Sequence, residues 1–346
     1  MLHFATYFDI NYLSRGLALF DSLKRHSSRP FILHILALDE IVVGYFNENK
    51  TDGISVIPLA AIEAYFPELQ QAKSNRSIIE YYFTLSPYLP LYILNKVANV
   101  SQVTTVDADI YFFDDPAIIF EQYSEASILI TPHNFSKNLQ HLAIHGKYNV
   151  SFQSFKKDEA GLSCLNHWRQ QCFNWCYDTY DEANNRFADQ KYLDTWPAEF
   201  DKVAEIKTPG AGLAPWNIDN HDFKIVDGEI TVDQQPLIYY HFHHLRVFNK
   251  NFAFNGLEHY GVKNNTRGLK RIYHIYLKAL KSFTDKANTD FNTLRYNNHL
   301  NSSFSQKLKS PQGYWFYNNY VIVHVNPHRR FTKIKRALRS LYGPTD

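Results

Sequence analysis

Cysteine is scarce in this chain, with three in 346 residues: Cys164, Cys172 and Cys176. Three thiols cannot form a disulfide framework, and their spacing is not that of a metal knuckle. A reducing cytoplasm is the expected compartment. No stretch approaches the roughly 18 uninterrupted apolar residues that a spanning helix needs, so none is expected. The opening residues, Met1 to Asp9, lack a basic stretch followed by an apolar one, which argues against a secretory signal. Without secretion, Asn-x-Ser/Thr triplets such as the one at Asn149 carry no weight. No internal repeat or low-complexity tract is visible. Charge of one sign is not in excess either: 36 basic against 34 acidic residues leave +2. That balance hides an asymmetry. Residues 328–346 hold six cations, Arg329, Arg330, Lys333, Lys335, Arg336 and Arg339, against Asp346 alone. The remainder is slightly acidic, which excludes nucleic acid as a partner of the body.

What is present is the composition of a folded protein, 45% hydrophobic and 20% charged, with aromatics at 16%. The length fits about two domains, or one large α/β domain with an appendage. His3 to Phe8 reads as a short strand. Leu13, Leu17, Phe20 and Leu23 then recur at helical spacing within Asn11 to His26. Phe31 to Leu38 and Gly53 to Ile57 read as strands, and this order suggests a parallel, doubly wound sheet. Ser77 to Leu94 reads as a helix that Pro87 and Pro90 break or kink. Gln102 to Val106, a run ending at Asp114, Ser127 to Thr131, Tyr148 to Phe155 and Leu237 to Phe242 are further strands. Trp168, Cys172 and Cys176 fall on one helical stripe and read as core. From about Phe248 the pattern turns helical and basic.

The chemistry concentrates in two places. Asp107-Ala108-Asp109 follows four β-favouring residues. In an extended segment residues i and i+2 point the same way, so two carboxylates are expected on one side at a strand's C-terminal end, where open α/β sheets bind ligands. Two hard oxygen donors suit Mg²⁺ or Mn²⁺. A solvated turn fits the same residues. The second place is Tyr239-Tyr240-His241-Phe242-His243-His244-Leu245-Arg246. His241 and His243 share a side if the strand continues. An imidazole beside two carboxylates shifts the preference toward Mn²⁺, and Arg246 suits phosphate oxygens.

In order along the chain, Tyr7-Phe8-Asp9-Ile10-Asn11-Tyr12, Asp107-Ala108-Asp109, Asp189-Gln190-Lys191 and the His241 cluster resemble the retaining glycosyltransferases of family 8. Segments such as Tyr88 to Leu94, Gly146 to Ser151, Leu213 to Asn217 and Tyr240 to His243 are similar to those of a group of bacterial putative glycosyltransferases. The resemblance covers roughly residues 3–247. It implies a GT-A fold, a mixed α/β sheet flanked by helices over residues 1–247, with a helical, basic extension over 248–346. It implies transfer of a sugar from a nucleotide diphosphosugar. By the resemblance, Asp9, Asn11 and Tyr12 hold the nucleotide's base and ribose beside Tyr7. Asp107 and Asp109, flanking Ala108, bind the metal with His241, and His243 is a further candidate ligand. Gln190 lies beneath the anomeric carbon with Asp189 beside it, and Asn149 lies near the donor sugar or acceptor. The family's arginine before Asp-x-Asp is Thr84 here, with Arg76 as its candidate replacement. The usual glycine three residues after the metal histidine is His244.

A divalent ion neutralises a departing diphosphate, and the Gln190 carbonyl or the Asp189 carboxylate can favour an oxocarbenium-like sugar. A retaining route needs no dedicated base; an inverting route makes Asp189 the first candidate. In the loop Pro209 to Asn217, Trp216 offers an aromatic face and Asn217 a polar group to an acceptor. The tail 328–342 reads as a basic amphipathic helix for an anionic membrane surface. The expected function is a metal-dependent, retaining glycosyltransferase. Its expected acceptor is a glycan or lipid-linked glycan, of lipopolysaccharide or surface polysaccharide, at the inner face of the membrane. The rivals are an inverting glycosyltransferase, a nucleotidyltransferase, and a non-catalytic sugar- or nucleotide-binding protein.

Overall fold

The computed structural model of the chain describes residues 1–249, 252–264, 266–286 and 320–322. The basic tail 328–346, and with it the expected membrane-binding helix, lies outside the described residues. Among the described residues no helix is long and apolar enough to cross a membrane.

Eight early strands are β1 (Leu2–Phe8), β2 (Phe31–Ala37), β3 (Ile54–Pro58), β4 (Gln102–Val106), β5 (Ile110–Phe112), β6 (Ile128–Pro132), β7 (Tyr148–Lys156) and β8 (Val203–Glu205). All but β5 form one sheet in the order β3-β2-β1-β4-β7-β6-β8. The strands β1 to β4 run parallel, as the order of elements suggested. The sheet is nevertheless mixed, because β7 pairs antiparallel with both β4 and β6. Since β6 and β8 are parallel, β4, β6 and β8 all end at the same edge as β1.

Alternation along each strand feeds two cores. Ala5 and Leu36 face a layer with Trp168, Cys172, Cys176 and Trp196, while Phe4, Phe8, Leu33 and Ile35 face the first helix, Leu13–His26. The cysteines are buried packing groups as expected, but only Cys164 and Cys172 lie on the helix Glu159–Asn174; Cys176 follows the extended Trp175 that ends it, so the helical stripe does not reach it. The expected helix 77–94 is two helices, Ile78–Thr84 and Tyr88–Lys96, with Pro87 as the cap of the second. A reciprocal Ser77–Glu80 capping box starts the first.

The later strands are β9 (Phe223–Val226), β10 (Glu229–Val232), β11 (Gln235–Pro236), β12 (Tyr239–His241), β13 (Arg246–Asn249) and β14 (Phe252–Phe254). β13 and β14 pair antiparallel, so these residues do not begin a helix as the basic pattern suggested. Strands of three or four residues are too short to show a period of two. Among the described residues the helical pattern is realised at Arg267–Lys286, whose Ile272, Tyr273 and Tyr276 share a core with Tyr240, Phe242 and Ala18 of the first helix.

Candidate functional site

The site begins where β4 stops. The chain does not continue extended through Asp107-Ala108-Asp109. It turns, with the Ile110 N–H donating to the Asp107 carbonyl at 3.1 Å, and returns as β5. The two carboxylates thus converge through a turn and not through strand alternation. β5 pairs antiparallel with β12, placing His241 opposite Ile110, and the Phe242 N–H donates to the Asp109 carbonyl at 2.9 Å. That pairing delivers the imidazole from 132 positions beyond Asp109. His241 Nε2 lies 3.1 Å from Asp109 Oδ1 and 3.5 Å from Asp107 Oδ2. One ligand atom from each of the three lies within 4.8 Å of the others, and this is the group able to hold a metal ion among the described residues.

The electrostatics are those of a site that needs a cation. Burial raises the Asp107 carboxyl, and Asp109 adds to the rise while His241 opposes it. Burial also acts on Asp109, but the charge and hydrogen bond of His241, with His243 and Arg15, hold its carboxyl well below the usual range. Burial alone would lower His241; the charge of Asp109, its hydrogen bond and the charge of Asp107 together raise it. His241 Nδ1 is buried without a hydrogen-bond partner among the described residues. Two carboxylates and an imidazole nitrogen fit Mg²⁺ or Mn²⁺.

His243 stands outside this group. The strand ends at His241, and His243 Nδ1 turns to the Tyr260 hydroxyl at 2.6 Å. Trp216 does not offer a face to an acceptor in this conformation. It is buried, and its ring packs edge-on against His241 and His243, each 5.3 Å away between centroids. Asn217 is buried too. Its Nδ2 donates to the His133 and Gly212 carbonyls and its Oδ1 accepts the Ala214 N–H, so it ties the loop. Trp216 packs behind His241 and Asn217 ties its loop, because a Gly-Pro-rich loop reverses sharply enough to pack on β12, where the His241 N–H donates to the Leu213 carbonyl at 2.8 Å.

Asp9, Asn11 and Tyr12 leave β1 at the same sheet edge. Asp9 accepts the Asn11 N–H and side-chain amide at 3.0 Å each, and Tyr12 is exposed. Tyr7 meets Ser86 Oγ at 3.1 Å, and Ser86 Oγ donates to Asp189 Oδ2 at 2.5 Å. Asp189 is 2% exposed, and burial is the main cause that pushes its carboxyl up to about 7. Gln190 is half-buried, with Nε2 donating to the His145 carbonyl at 3.1 Å. Asn149 is buried; Oδ1 accepts from Ser151 while Nδ2 has no partner among the described residues. Arg76 donates to Thr84 Oγ1 and the Phe173 carbonyl. Arg246 is exposed on β13. Ala108 is buried between the two aspartates.

Arg15 and Ser86 escaped the sequence reading. Arg15 stacks on Tyr12 at 4.3 Å and donates to the Leu245 carbonyl at 3.1 Å, linking the turn after β1 to the loop after His241. Its position one turn after Asn11 was the available signal, but a helix-surface arginine has many uses. Ser86 had no signal in the sequence, since its role depends on a carboxylate 103 positions away.

No family model matches the chain. Among solved structures, the galactosyltransferase LgtC in complex with donor and acceptor sugar analogs is similar at a TM-score of 0.46 and 14% identity, over 83% of this chain and 96% of that one. Uncharacterized protein YfnD of Bacillus subtilis (strain 168) is 29% identical over 290 residues, 84% of this chain and 92% of that protein. Uncharacterized protein YfnF of the same strain is 34% identical over 249 residues, 69% of this chain and 80% of that protein. The chain belongs to the same family as YfnF.

Proposed function

We propose that this chain is a metal-dependent glycosyltransferase that moves a sugar from a nucleotide diphosphosugar to a glycan or lipid-linked acceptor with retention of configuration. The observation that carries the reading is the convergence of Asp107, Asp109 and His241 Nε2 within 4.8 Å at the carboxyl edge of the sheet. Such a group would hold Mn²⁺ or Mg²⁺, which supplies charge neutralisation for a departing diphosphate. Asp9, Asn11 and Tyr12, with Tyr7 beneath, would bind the nucleoside, and Arg76, Asn149 and Arg246 the remainder of the donor.

Gln190 would act through Oε1, and the donation of its Nε2 to the His145 carbonyl, which leaves Oε1 as the other group of the amide, supports this. An amide oxygen near the anomeric carbon would favour its developing positive charge. In the transfer, the bond from the anomeric carbon to the leaving phosphate oxygen breaks, and a bond to the acceptor oxygen forms on the same face. The acceptor proton passes to the leaving phosphate oxygen. Burial of Asp189 behind Ser86 supports this route, since an inverting base must touch the acceptor hydroxyl. The basic pattern of 328–342 supports an acceptor held at an anionic membrane face, as in lipopolysaccharide or surface-polysaccharide assembly, with residues 1–247 as the catalytic unit.

A thermal-shift screen of nucleotide sugars with and without Mn²⁺ is expected to give one stabilising donor whose effect requires the ion. The wild-type product is expected to keep the donor's anomeric configuration, and Asp107→Ala and Asp109→Ala are expected to abolish turnover. Full activity in EDTA refutes the metal reading, and pyrophosphate release identifies a nucleotidyltransferase instead.

A further inference from the structure

One face of the sheet encloses a small polar cavity behind the metal group. In register across β1, β4 and β7, Ala5 lies opposite Thr105, and Thr105 opposite Gln153. Residues paired in this way leave the same face of a sheet. The Gln153 side chain therefore points to the face that carries Ala5 and, two positions on, Tyr7. Ser86 and Leu89 cover this face from the junction of the helices Ile78–Thr84 and Tyr88–Lys96. The space left between sheet and cover, about 10 Å³, is bordered by Gln153, Thr105, Tyr7, Ser86 and the metal ligand Asp107.

Gln153 is 1% exposed, and its Nε2 has no hydrogen-bond partner among the described residues. A buried amide donor left unpaired costs stability, so its setting matters. That setting is polar: the Tyr7 hydroxyl meets Ser86 Oγ at 3.1 Å, and Ser86 Oγ donates onward to Asp189. A buried water needs roughly 10–15 Å³ and two to four polar partners, and this cavity supplies both. Asp107 is also held less fully than its neighbour. His241 Nε2 bonds Asp109 Oδ1 at 3.1 Å but stands 3.5 Å from Asp107 Oδ2. A carboxylate that ligates a metal is oriented by the hydrogen bonds behind it, and losing such a partner costs about 10- to 100-fold in metal affinity.

We propose that one ordered water fills this cavity, accepting from Gln153 Nε2 and donating to the Asp107 carboxylate and to a hydroxyl of the Tyr7–Ser86 pair. Gln153 is thereby a positioning residue, acting on the metal site through Asp107 without touching the ion. The inference rests on the metal reading proposed above and adds the residue that steadies one of its ligands.

A high-resolution crystal structure of the full chain is expected to show the water within hydrogen-bond reach of Gln153 Nε2 and the Asp107 carboxylate. Gln153→Met keeps the length of the side chain without the amide and is expected to fold. In a dry cavity that change would remove an unpaired donor and raise the melting temperature. The melting temperature is instead expected not to rise, while calorimetry with Mn²⁺ alone shows about tenfold weaker binding than wild type. Gln153→Asn keeps an N–H for the water and is expected to recover most of that loss. A dry cavity in the crystal structure overturns the inference alone, as does a raised melting temperature in Gln153→Met with unchanged Mn²⁺ affinity. Failure of the wild-type chain to bind Mn²⁺ overturns the metal reading beneath it.

Discussion

Replacing Asp189 by asparagine is expected to stabilise the protein, and by more as pH rises. In the unfolded chain this carboxyl ionises near 3.8; folded, it keeps its proton to about 7. Between these values only the unfolded state loses the proton, so the wild-type chain loses stability as pH climbs through the window. At ~1.4 kcal/mol per pH unit the whole interval is worth about 4 kcal/mol. Solvent screening does not reduce this much, because the residue is 2% exposed. Asparagine matches the protonated carboxyl in shape, can still accept from Ser86, and has no proton to lose. The stability difference between variant and wild type should grow from about 1–2 kcal/mol at pH 5 to about 4 kcal/mol above pH 8. Urea unfolding across this range measures it, and other titrating groups cancel in the difference. A difference that does not change with pH refutes the assignment of the raised carboxyl to Asp189. The same variant addresses mechanism: turnover within about tenfold of wild type supports a positioning role, whereas loss beyond about a hundredfold in a folded variant reinstates Asp189 as a base.

Gly210→Ala is expected to cost about 2–4 kcal/mol, since φ is +77° and the new β-carbon would sit 2.1 Å from the Pro236 carbonyl oxygen. Chemical denaturation measures the cost, and weaker Mn²⁺ binding should accompany it because the same loop accepts the His241 N–H at Leu213. Mn²⁺ affinity is expected to fall on acidification, since Asp107 and His241 both have raised values and both must release protons to bind an ion. The fall should approach tenfold per pH unit for each competing proton, and calorimetry showing constant affinity between about pH 5 and pH 8 would contradict it. Deleting residues 328–346 is expected to release the protein from phosphatidylserine vesicles with its melting temperature unchanged; undiminished sedimentation with vesicles would reject the membrane reading.

The parts of the fold that the sequence revealed are those specified locally. Short apolar or β-branched runs mark β1, β2 and β4, and helical spacing marks Leu13 to Leu23, because each pattern is a local property of one element. The direction of β7 was not legible. A strand buried on both faces reads the same whether it runs with or against its neighbours. The roles of Trp216 and Asn217 were hidden for a related reason. An aromatic and an amide in a Gly-Pro loop suit an open cleft or a tight reversal equally, and only packing on β12 shows that they are buried behind the histidines.

The site itself shows why residue type outran geometry. Asp107, Asp109 and His241 were each recognisable by chemistry, yet what joins them is a turn and a three-residue pairing between β5 and β12, outside the main sheet. Such short pairing is stable only when its flanks are held. Here the flanks are the Asp109 carbonyl accepting from Phe242, the Leu213 carbonyl accepting from His241, and the Leu245 carbonyl accepting from Arg15. The last bond reaches back to the helix that begins at the Asp9 turn, where Arg15 also stacks on Tyr12. The two halves of the proposed donor site, nucleoside turn and metal loop, are thus tied by one guanidinium. That link joins positions 12, 15 and 245, a juxtaposition that no spacing rule along the chain can express.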